Sequence, residues 1–579
     1  MFKLKSYLKP YWIVTILAPI LMFIEVACDL FQPKLMASII DYGIYNGDTS
    51  FIIKTTFTMI GITLLGVIGG VGCAITASIA AMNFGADIRS AVYKKIQRFS
   101  FANLDKFNTG SLITRLTNDI VQVQNMVMML LRMFVRSPML FIGGIVLAVS
   151  INAKLSLIFL VAIPTLILAV AILINMSFPL FTKLQQKLDK VNSVIRENLI
   201  GVRVVKAFVR ADFENSRFNT ASEDLSDITV KSSRLMALIM PIMMLVMNLS
   251  IIAVIWFGGI QINKGTMKVG EIVAYITYMT QILSSLLMIG MALVNFSRAY
   301  ASSERIVEVL VSEIDIEDSP NASKQPIRAG GIVFDNVSFR YKDALGEPVL
   351  KNISFTANPG ETVAILGGTG SGKSTLVNLI PRLYDVTSGR ILVDGKDIRT
   401  IELNTLRSSI GFVLQESLLF SGTIKDNICF GKENATDEEV LEASNAAQAH
   451  DFISNFTEGY ETILGQGGVN VSGGQKQRLS IARALIKKPA ILVLDDSTSA
   501  VDIATESRIQ SAMKKIIKNT TCIVIAQRIS TVLDADKILV LENGEIAASG
   551  KHQELLKTSL IYQDICKSQL GEEDLENVQ

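Results

Sequence analysis

The chain has 579 residues, of which 50% are hydrophobic and 19% are charged, and its formal net charge at pH 7 is +2. This length predicts more than one domain, and the near-neutral charge gives no support for nucleic-acid binding. The apolar residues are concentrated before about residue 300, which favours a membrane-embedded half followed by a soluble half. The five cysteines are scattered without a C-x-x-C pair, so we expect neither a disulfide framework nor a zinc site.

Six apolar segments in the first half are each long enough to cross about 30 Å of hydrocarbon as a helix. They are predicted at roughly 12–40, 52–82, 126–150, 155–178, 234–262 and 271–297. Basic residues collect near the start of the chain and in two long polar connections, 83–125 and 179–233. Because basic loops mark the cytoplasmic side of a membrane, we expect both termini and both long connections to lie inside the cell.

The two long connections keep a helical spacing of apolar residues, so the membrane helices are predicted to continue into the cytoplasm. Each connection is interrupted once, at Phe107–Ser111 and around Phe208–Glu214. Either interruption suits a short surface-lying helix that contacts a second domain. The simpler alternative is the plain tip of a helical hairpin.

Two features inside the spans allow more than one interpretation. Glu25 and Asp29 lie four residues apart, hence on one helix face, and acids at membrane depth face a polar cavity or a partner. Attraction of a cationic substrate, an outer gate and a hydrogen-bonded tie between helices all remain open. A helical stripe of methionines suits a promiscuous surface, although simple packing or lipid contact explains it more easily: Met240, Met243, Met244 and Met247.

After an acidic, proline-containing linker, the second half contains a glycine-rich stretch that fits G-x-x-x-x-G-K-[ST]. It follows a predicted strand, Thr362–Leu366, and opens a predicted helix, which is the context that a phosphate-binding loop requires. Glycines let backbone N–H groups surround a phosphate, lysine adds a positive charge, and a serine hydroxyl suits Mg²⁺. The loop comprises Gly367, Gly368, Thr369, Gly370, Ser371, Gly372, Lys373, Ser374 and Thr375.

Three further residues suit a nucleotide at this loop. Asp495 ends the apolar run Ile491–Leu494, which predicts a buried strand that delivers a carboxylate to Mg²⁺. Gln415 follows another predicted strand and offers an amide to the metal or to the attacking water. Tyr341 offers a ring for stacking on a purine, although one tyrosine is a weak signal.

A second glycine-rich turn opens a predicted helix at 476–486 and therefore makes a second anion site. Its residues are Val471, Ser472, Gly473, Gly474 and Gln475. One nucleotide at Lys373 does not need two such cradles. We therefore expect the second turn to serve a nucleotide held by another subunit.

The stretch Val471–Arg478 closely resembles the signature of ATP-binding cassette (ABC) proteins. Together with the phosphate loop, Gln415 and Asp495, the resemblance covers the soluble half in order, and it includes the D-loop residues Ser499, Ala500, Val501 and Asp502. The six-span half, with Thr109–Arg115 and Gly201–Phe208, resembles the membrane domain of multidrug and lipid exporters.

This resemblance implies a multidomain chain, a six-helix all-α transmembrane domain of ABC exporter type followed by an α/β P-loop nucleotide-binding domain. The expected boundaries are 1–312 for the transmembrane domain, 313–330 for the linker, 331–570 for the nucleotide-binding domain and 571–579 for an acidic tail. It also implies a half-transporter that dimerises around two ATP molecules with Mg²⁺. The two helix interruptions would then be coupling helices.

Two residues depart from the family's usual pattern. Asp496 stands where the family usually has the glutamate that acts as general base, and its side chain is shorter by about 1.5 Å. Gln527 stands where the family has its switch histidine, and an amide carries no titratable proton. A milder departure is Gln466, where a glutamate is common. All the residues of the second glycine-rich turn match the family.

These departures predict a heterodimer in which this chain binds ATP at a degenerate, slowly hydrolysing site and lends its signature to the partner's competent site. The expected function is ATP-driven export of small amphiphilic or drug-like compounds through the lipid bilayer of the plasma membrane. The alternatives are a homodimeric lipid or peptide exporter whose site has drifted, and an ATP-gated channel or regulatory subunit. The six spans exclude a soluble ABC ATPase of DNA maintenance.

Overall fold

The computed structural model describes residues 2–342, 346–497, 501–516 and 519–570. The chain forms two compact units. One comprises Met1–Ile96 and Gly110–Ser312, and the other comprises Gln97–Thr109 and Glu313–Gln579. The short segment Gln97–Thr109 therefore packs with the C-terminal unit, although helices of the first unit precede and follow it in the chain.

Over its described residues, the first unit contains helices joined by turns and no strand. A 3-10 helix spans Phe2–Tyr11, and π-helical turns span Ile39–Ile44 and Arg115–Asp119. The α-helices from the N-terminus to the linker, including the short α3 of the second unit, are α1 (Trp12–Ser38), α2 (Thr49–Gln97), α3 (Phe101–Lys106), α4 (Thr109–Thr114), α5 (Ile120–Ile151), α6 (Leu157–Ala207), α7 (Ala211–Ala237), α8 (Ile239–Asn263) and α9 (Val269–Val311).

Within the described residues, six helical stretches are long and apolar enough to cross a membrane, which confirms the predicted number of spans. Helices α2 and α6 have 49 and 51 residues. A helix needs only about 20 residues to cross the hydrocarbon, so both extend well beyond it, as the helical spacing of the long connections predicts.

The two predicted interruptions have different structures. Near the first, α3 occupies Phe101–Lys106, just before the predicted Phe107–Ser111. The prediction of a short helix around Phe208–Glu214 is wrong. Helices α6 and α7 are joined there by a tight turn, in which Val209 has a φ of 51°. Helices α6 and α7 pack side by side through Val191, Val194 and Ala221, so the chain has only to reverse direction there.

The acidic pair in α1 has a basic partner on α5. The Arg136 guanidinium donates hydrogen bonds to both carboxylates, and its Nη2 lies 2.9 Å from Asp29 Oδ2. Glu25 and Asp29 therefore tie α1 to α5, which is one of the alternatives that the sequence leaves open. The four methionines of the stripe differ in burial. Met240 and Met244 are exposed, whereas Met243 and Met247 pack against the helical core.

The second unit is α/β. Its strands are β1 (Ile332–Phe339), β2 (Leu350–Ala357), β3 (Thr362–Gly367), β4 (Ser388–Val393), β5 (Lys396–Asp397), β6 (Ile410–Val413), β7 (Gly422–Thr423), β8 (Ile463–Leu464), β9 (Ile491–Asp495), β10 (Thr521–Ile525), β11 (Lys537–Glu542) and β12 (Glu545–Gly550). Its further helices are α10 (Lys373–Leu379), α11 (Leu403–Ser408), α12 (Ile424–Cys429), α13 (Asp437–Ala446), α14 (His450–Ser454), α15 (Gly473–Leu485), α16 (Ile503–Ile516), α17 (His552–Thr558) and α18 (Leu560–Leu570).

The described strands form an antiparallel sheet in the order β2-β1-β4-β5, a mainly parallel sheet in the order β12-β11-β3-β10-β9-β6, and the pair β7-β8. In the parallel sheet, Ile525 of β10 is paired with Ile365 of β3 on one side and with Asp495 of β9 on the other. Parallel strands end at a common edge. This order therefore brings the loops after β3, β9 and β10 together, at the edge where open α/β sheets bind ligands.

Candidate nucleotide site

The phosphate loop begins at the end of β3 and requires glycine at its first position. Gly367 has a φ of 152°, and a Cβ there would lie 2.2 Å from the carbonyl oxygen of Leu541 in the neighbouring strand. Gly370 also has a positive φ, of 82°, but a Cβ there would meet nothing within 4 Å. The first glycine is required by the adjacent strand, whereas Gly370 leaves the loop backbone open to a ligand.

Two polar side chains of the loop suit a phosphate. Lys373 Nζ donates to the carbonyl oxygens of Gly367 and Gly368, at 2.9 and 2.8 Å, so the ammonium group lies over the loop. Burial lowers the pKa of Lys373, although Asp495 and Asp496 oppose this shift. The Ser371 hydroxyl is buried and has no hydrogen-bond partner within the described chain. A phosphate oxygen would supply an acceptor to both groups.

The structure brings Ser374 and Asp495 into contact. The Ser374 hydroxyl donates to Asp495 Oδ1 at 3.2 Å, and Asp495 is only 5% exposed. Hydroxyl and carboxylate oxygens are ligands that Mg²⁺ prefers, so this pair fits a magnesium ion bound with the nucleotide. Gln415 follows β6, the strand next to β9, but its side chain is exposed and makes no hydrogen bond with Ser374 or Asp495 among the described residues.

The two residues that depart from the family pattern contact each other. Gln527 Nε2 donates to Asp496 Oδ2 at 2.6 Å, and Asp496 is 7% exposed with a φ of 47°. The Asp496 backbone N–H donates to the carbonyl of Ile525 at 3.2 Å. The backbone carbonyl of Gln527 accepts a hydrogen bond from Gln569 Nε2 at 2.7 Å. These contacts hold the Gln527 side-chain amide against the Asp496 carboxylate.

Tyr341 lies beside the phosphate loop. Its hydroxyl is 2.9 Å from Thr375 Oγ1, and its ring meets Phe339 and Tyr384 edge to face. The structure therefore joins Tyr341 to the predicted phosphate-binding residues through a direct hydrogen bond.

The signature residues form a separate helix N-terminus. Helix α15 begins at Gly473, three residues before the predicted start, because Ser472 and Gln475 cap it reciprocally at 3.3 and 2.8 Å. No hydrogen bond joins residues 471–475 to the phosphate loop among the contacts of the described residues. Asp502 Oδ1 caps α16 at the Thr505 N–H, at 2.9 Å, and Val501 is buried. The D-loop residues Ser499 and Ala500 lie outside the described residues.

Sequence reasoning missed the residues that support this site from other segments. Glu506 accepts hydrogen bonds from Arg528 and from Thr531, at 3.2 and 2.7 Å, and thereby holds the segment after Gln527. Gln569 of α18 binds both the Gln527 carbonyl and the Ile529 N–H. These residues belong to no motif, and only their positions in the fold reveal them.

Comparison with known proteins agrees with this architecture. Residues 15–286 match the family model of the ABC transporter transmembrane region, and residues 350–499 match a second family model, that of the ABC transporter. The chain belongs to the ABC transporter family, in which it is an ATP-hydrolysing transporter of the exporter type.

Individual relatives support the same assignment. The chain is 46% identical to the ABC transporter ATP-binding protein YfiB of Bacillus subtilis over 575 residues, which are 99% of this chain and 100% of YfiB. It is 36% identical to an ATP-dependent lipid A-core flippase of Syntrophus aciditrophicus, with 83% of this chain and 80% of the flippase covered. A bacterial Atm1-family ABC exporter solved with ATP bound superposes with a TM-score of 0.79 at 27% identity, over 97% of this chain and 98% of that one.

Proposed function

We propose that this chain is one half of a heterodimeric ABC exporter of the plasma membrane. Its nucleotide-binding domain and both termini lie in the cytoplasm. Its own phosphate loop binds ATP with Mg²⁺ but hydrolyses it slowly, while Val471–Gln475 completes a competent site on the partner. The cargo is an amphiphilic or drug-like compound.

The observation that carries this proposal is the hydrogen bond between Gln527 and Asp496. A general base must lie within about 2.6–3.2 Å of the proton that it removes. The Asp496 side chain is already shorter than that of a glutamate by one carbon. One of its carboxylate oxygens also accepts a hydrogen bond from the Gln527 amide at 2.6 Å. Gln527 itself has no titratable proton to exchange with the γ-phosphate or the water. The pair therefore favours nucleotide retention over turnover.

The binding residues support retention of ATP in the same site. This retention is supported by Lys373, which lies over the phosphate loop, and by the hydrogen bond between Ser374 and Asp495. The buried Ser371 hydroxyl, which has no partner among the described residues, could donate to a phosphate oxygen. When bound, Mg²⁺ would neutralise phosphate charge near Ser374 and Asp495. ATP drives a conformational change only through its higher affinity for one state. A site divided between two chains provides that difference, because only the closed dimer presents both halves.

The cargo class is supported by the similarity to an ATP-dependent lipid A-core flippase and by the apolar helices of the first unit.

The test is ATPase activity of the purified chain with and without its co-expressed partner. In the pair, removal of the partner's general base should abolish activity. Asp496→Glu and Asp496→Asn in this chain should leave the rate within about twofold, because turnover occurs at the other site. In the pair without the partner's base, Asp496→Glu combined with Gln527→His should recover activity by about tenfold or more, since it restores reach and a titratable ring.

The proposal would be contradicted if this chain alone formed a homodimer with full ATPase activity and the substitution Asp496→Asn abolished that activity. That result would make the chain a homodimeric exporter in which aspartate and glutamine suffice. ATP-dependent ion conductance without stoichiometric hydrolysis would instead favour a channel.

A further inference from the structure

Tyr384 connects the short helix α3 to the body of the C-terminal unit. Its side chain is 9% exposed, and its hydroxyl donates a hydrogen bond to Asp105 Oδ2 at 2.8 Å. Its ring also meets Phe101, with the ring centres 6.0 Å apart and a tilt of 59°. Burial, aided by Asp105, raises the pKa of the Tyr384 hydroxyl, which therefore keeps its proton and remains a donor at neutral pH.

The same tyrosine touches the nucleotide site. Its ring contacts Tyr341 edge to face, with centres 5.3 Å apart and an interplanar angle of 88°. Phe339 packs against both rings, at 4.9 Å from Tyr341 and 5.5 Å from Tyr384. Tyr341 in turn is hydrogen-bonded to Thr375 of the phosphate loop. One buried side chain thus lies between the proposed purine-stacking ring and a carboxylate of α3.

A second set of contacts also links the segment that carries Tyr341 to α3. Lys342, the residue after Tyr341, forms an ion pair with Asp315. Asn103 of α3 donates through Nδ2 to Asp315 Oδ2 at 3.2 Å and to the Glu313 carbonyl at 3.0 Å. The loop that carries Tyr341 is therefore linked to α3 at two points, and all these residues belong to one compact unit.

A cavity of about 330 Å³ lies beside these contacts. Its lining includes Ala102 and Asp105 from α3, together with Tyr341, Lys342 and Tyr384. Because Tyr341 lines this cavity, a purine base that stacks on its ring would press it toward Tyr384 or into the cavity. Because Tyr341 and Tyr384 are in contact, a shift of the Tyr341 ring would displace Tyr384 and change its hydrogen bond to Asp105.

We propose that Tyr384 is a positioning residue that transmits occupancy of the purine side of the site from Tyr341 to α3 through Asp105. The chain passes directly from the long helix α2 into α3, so a shift of α3 acts on a membrane-spanning helix. This inference rests on the proposed ATP site at Tyr341. It goes beyond that site by assigning to Tyr384 a role in coupling rather than in binding.

The experiment uses the full transporter in lipid nanodiscs, with amide hydrogen exchange of residues 98–112 measured with and without Mg²⁺-ATP. ATP affinity is measured in parallel by displacement of a fluorescent ATP analogue. In the unaltered protein, ATP should slow exchange in this segment. Tyr384→Phe and Asp105→Ala should each make that response smaller by about threefold or more, because each removes the hydrogen bond. ATP affinity should stay within about threefold, since the aromatic contact is retained.

Two controls distinguish coupling from general damage. Tyr460→Phe removes another tyrosine hydroxyl of this unit, which bonds to His450 at 3.0 Å, and should leave the response of residues 98–112 unchanged. Combining Tyr384→Phe with Asp105→Ala should have no larger effect than either change alone, because both remove one interaction.

Each remaining outcome would overturn the inference in a recognisable way. Absence of an ATP response in the unaltered protein, or its persistence in both variants, would exclude the relay. Loss of ATP affinity by more than about tenfold in Tyr384→Phe would make Tyr384 a wall of the binding site instead. Unchanged ATP affinity in Tyr341→Ala would show that Tyr341 does not bind the base, and the site assignment itself would then fail.

Discussion

Asp495 ends the buried strand β9, and a second carboxyl group follows it at Asp496. Burial raises the pKa of Asp495 and the neighbouring Asp496 raises it further, while Ser374 and Lys373 oppose the shift. Because the folded-state pKa is above that of the unfolded chain, the ionised carboxylate lowers stability at neutral pH. This loss is relieved as the pH falls through the folded-state pKa, and Mg²⁺ would relieve it at neutral pH. Binding of the metal ion and stability of the empty domain therefore oppose each other at this residue.

Asp495→Asn should accordingly raise the melting temperature of the nucleotide-free protein, by about 2–4 °C if the gain is on the order of 1 kcal/mol. The further rise on addition of Mg²⁺-ATP should be largely lost, because the amide is a poor magnesium ligand. Thermal unfolding followed with and without Mg²⁺-ATP measures both effects. Ser374→Ala is the control, since it should weaken the Mg²⁺-ATP effect without raising the melting temperature. A lower melting temperature of nucleotide-free Asp495→Asn would contradict this account.

At the scale of elements, α1 and α2 approach closely at Gly69, where the neighbouring atoms of α1 include its backbone. A Cβ at Gly69 would lie 2.8 Å from the Leu21 carbonyl oxygen and 3.1 Å from the Glu25 backbone nitrogen. Both neighbours are backbone atoms, so they cannot move aside as a flexible side chain does. Gly61, two turns earlier on α2, has nothing within 4 Å of its Cβ position. One helix thus holds a glycine that packing requires and another that packing leaves free.

Gly69→Ala should destabilise the membrane-spanning unit by about 1–3 kcal/mol, because the added methyl group forces α2 away from α1. Gly61→Ala should be neutral or slightly stabilising, since alanine favours the helix and meets no neighbour. The midpoint of thermal aggregation in detergent, measured for both variants and the unaltered protein, compares them directly. Equal midpoints for the two variants would show that the α1–α2 contact is looser than the structure indicates.

At the scale of the whole molecule, the arrangement of charge along the chain predicts orientation in the membrane. The long connections carry many basic residues, whereas the short connections carry few, such as Lys154 and Lys264. Basic segments remain preferentially on the cytoplasmic side during insertion. In the proposed orientation the phosphate loop lies on the cytoplasmic side, where ATP is available, and the proposed export cycle depends on this orientation.

Single cysteines introduced at Asn46 and at Lys190 test the orientation. Both positions are exposed, the first in a short connection and the second on the long helix α6. In intact cells, a membrane-impermeant maleimide should label Asn46→Cys but not Lys190→Cys, and permeabilisation should make both reactive. The unaltered chain is the control, because Cys28, Cys73, Cys522 and Cys566 are buried and Cys429 is partly buried. The reverse labelling pattern would refute the assigned orientation.

Local patterns in the sequence were sufficient to predict much of the architecture of this protein. The six spans follow from runs of apolar residues, and the phosphate loop follows from glycines and a lysine at fixed spacing. Both are properties of continuous segments, in which backbone conformation and hydrophobicity depend on neighbouring residues. The departures at Asp496 and Gln527 were also visible, because each lies at a recognisable position beside a motif.

Only the tertiary structure decided which of these residues meet. Gln527 reaches Asp496 because β10 lies beside β9, and Tyr384 reaches Asp105 although 279 positions separate them. The tie from Arg136 to Glu25 and Asp29, and the plain turn at Val209, likewise depend on how helices pack. Contacts of this kind are selected by strand order and by the fit of distant surfaces. A single sequence carries no local pattern for them, so the connection from Tyr341 through Tyr384 to α3 emerged from the fold alone.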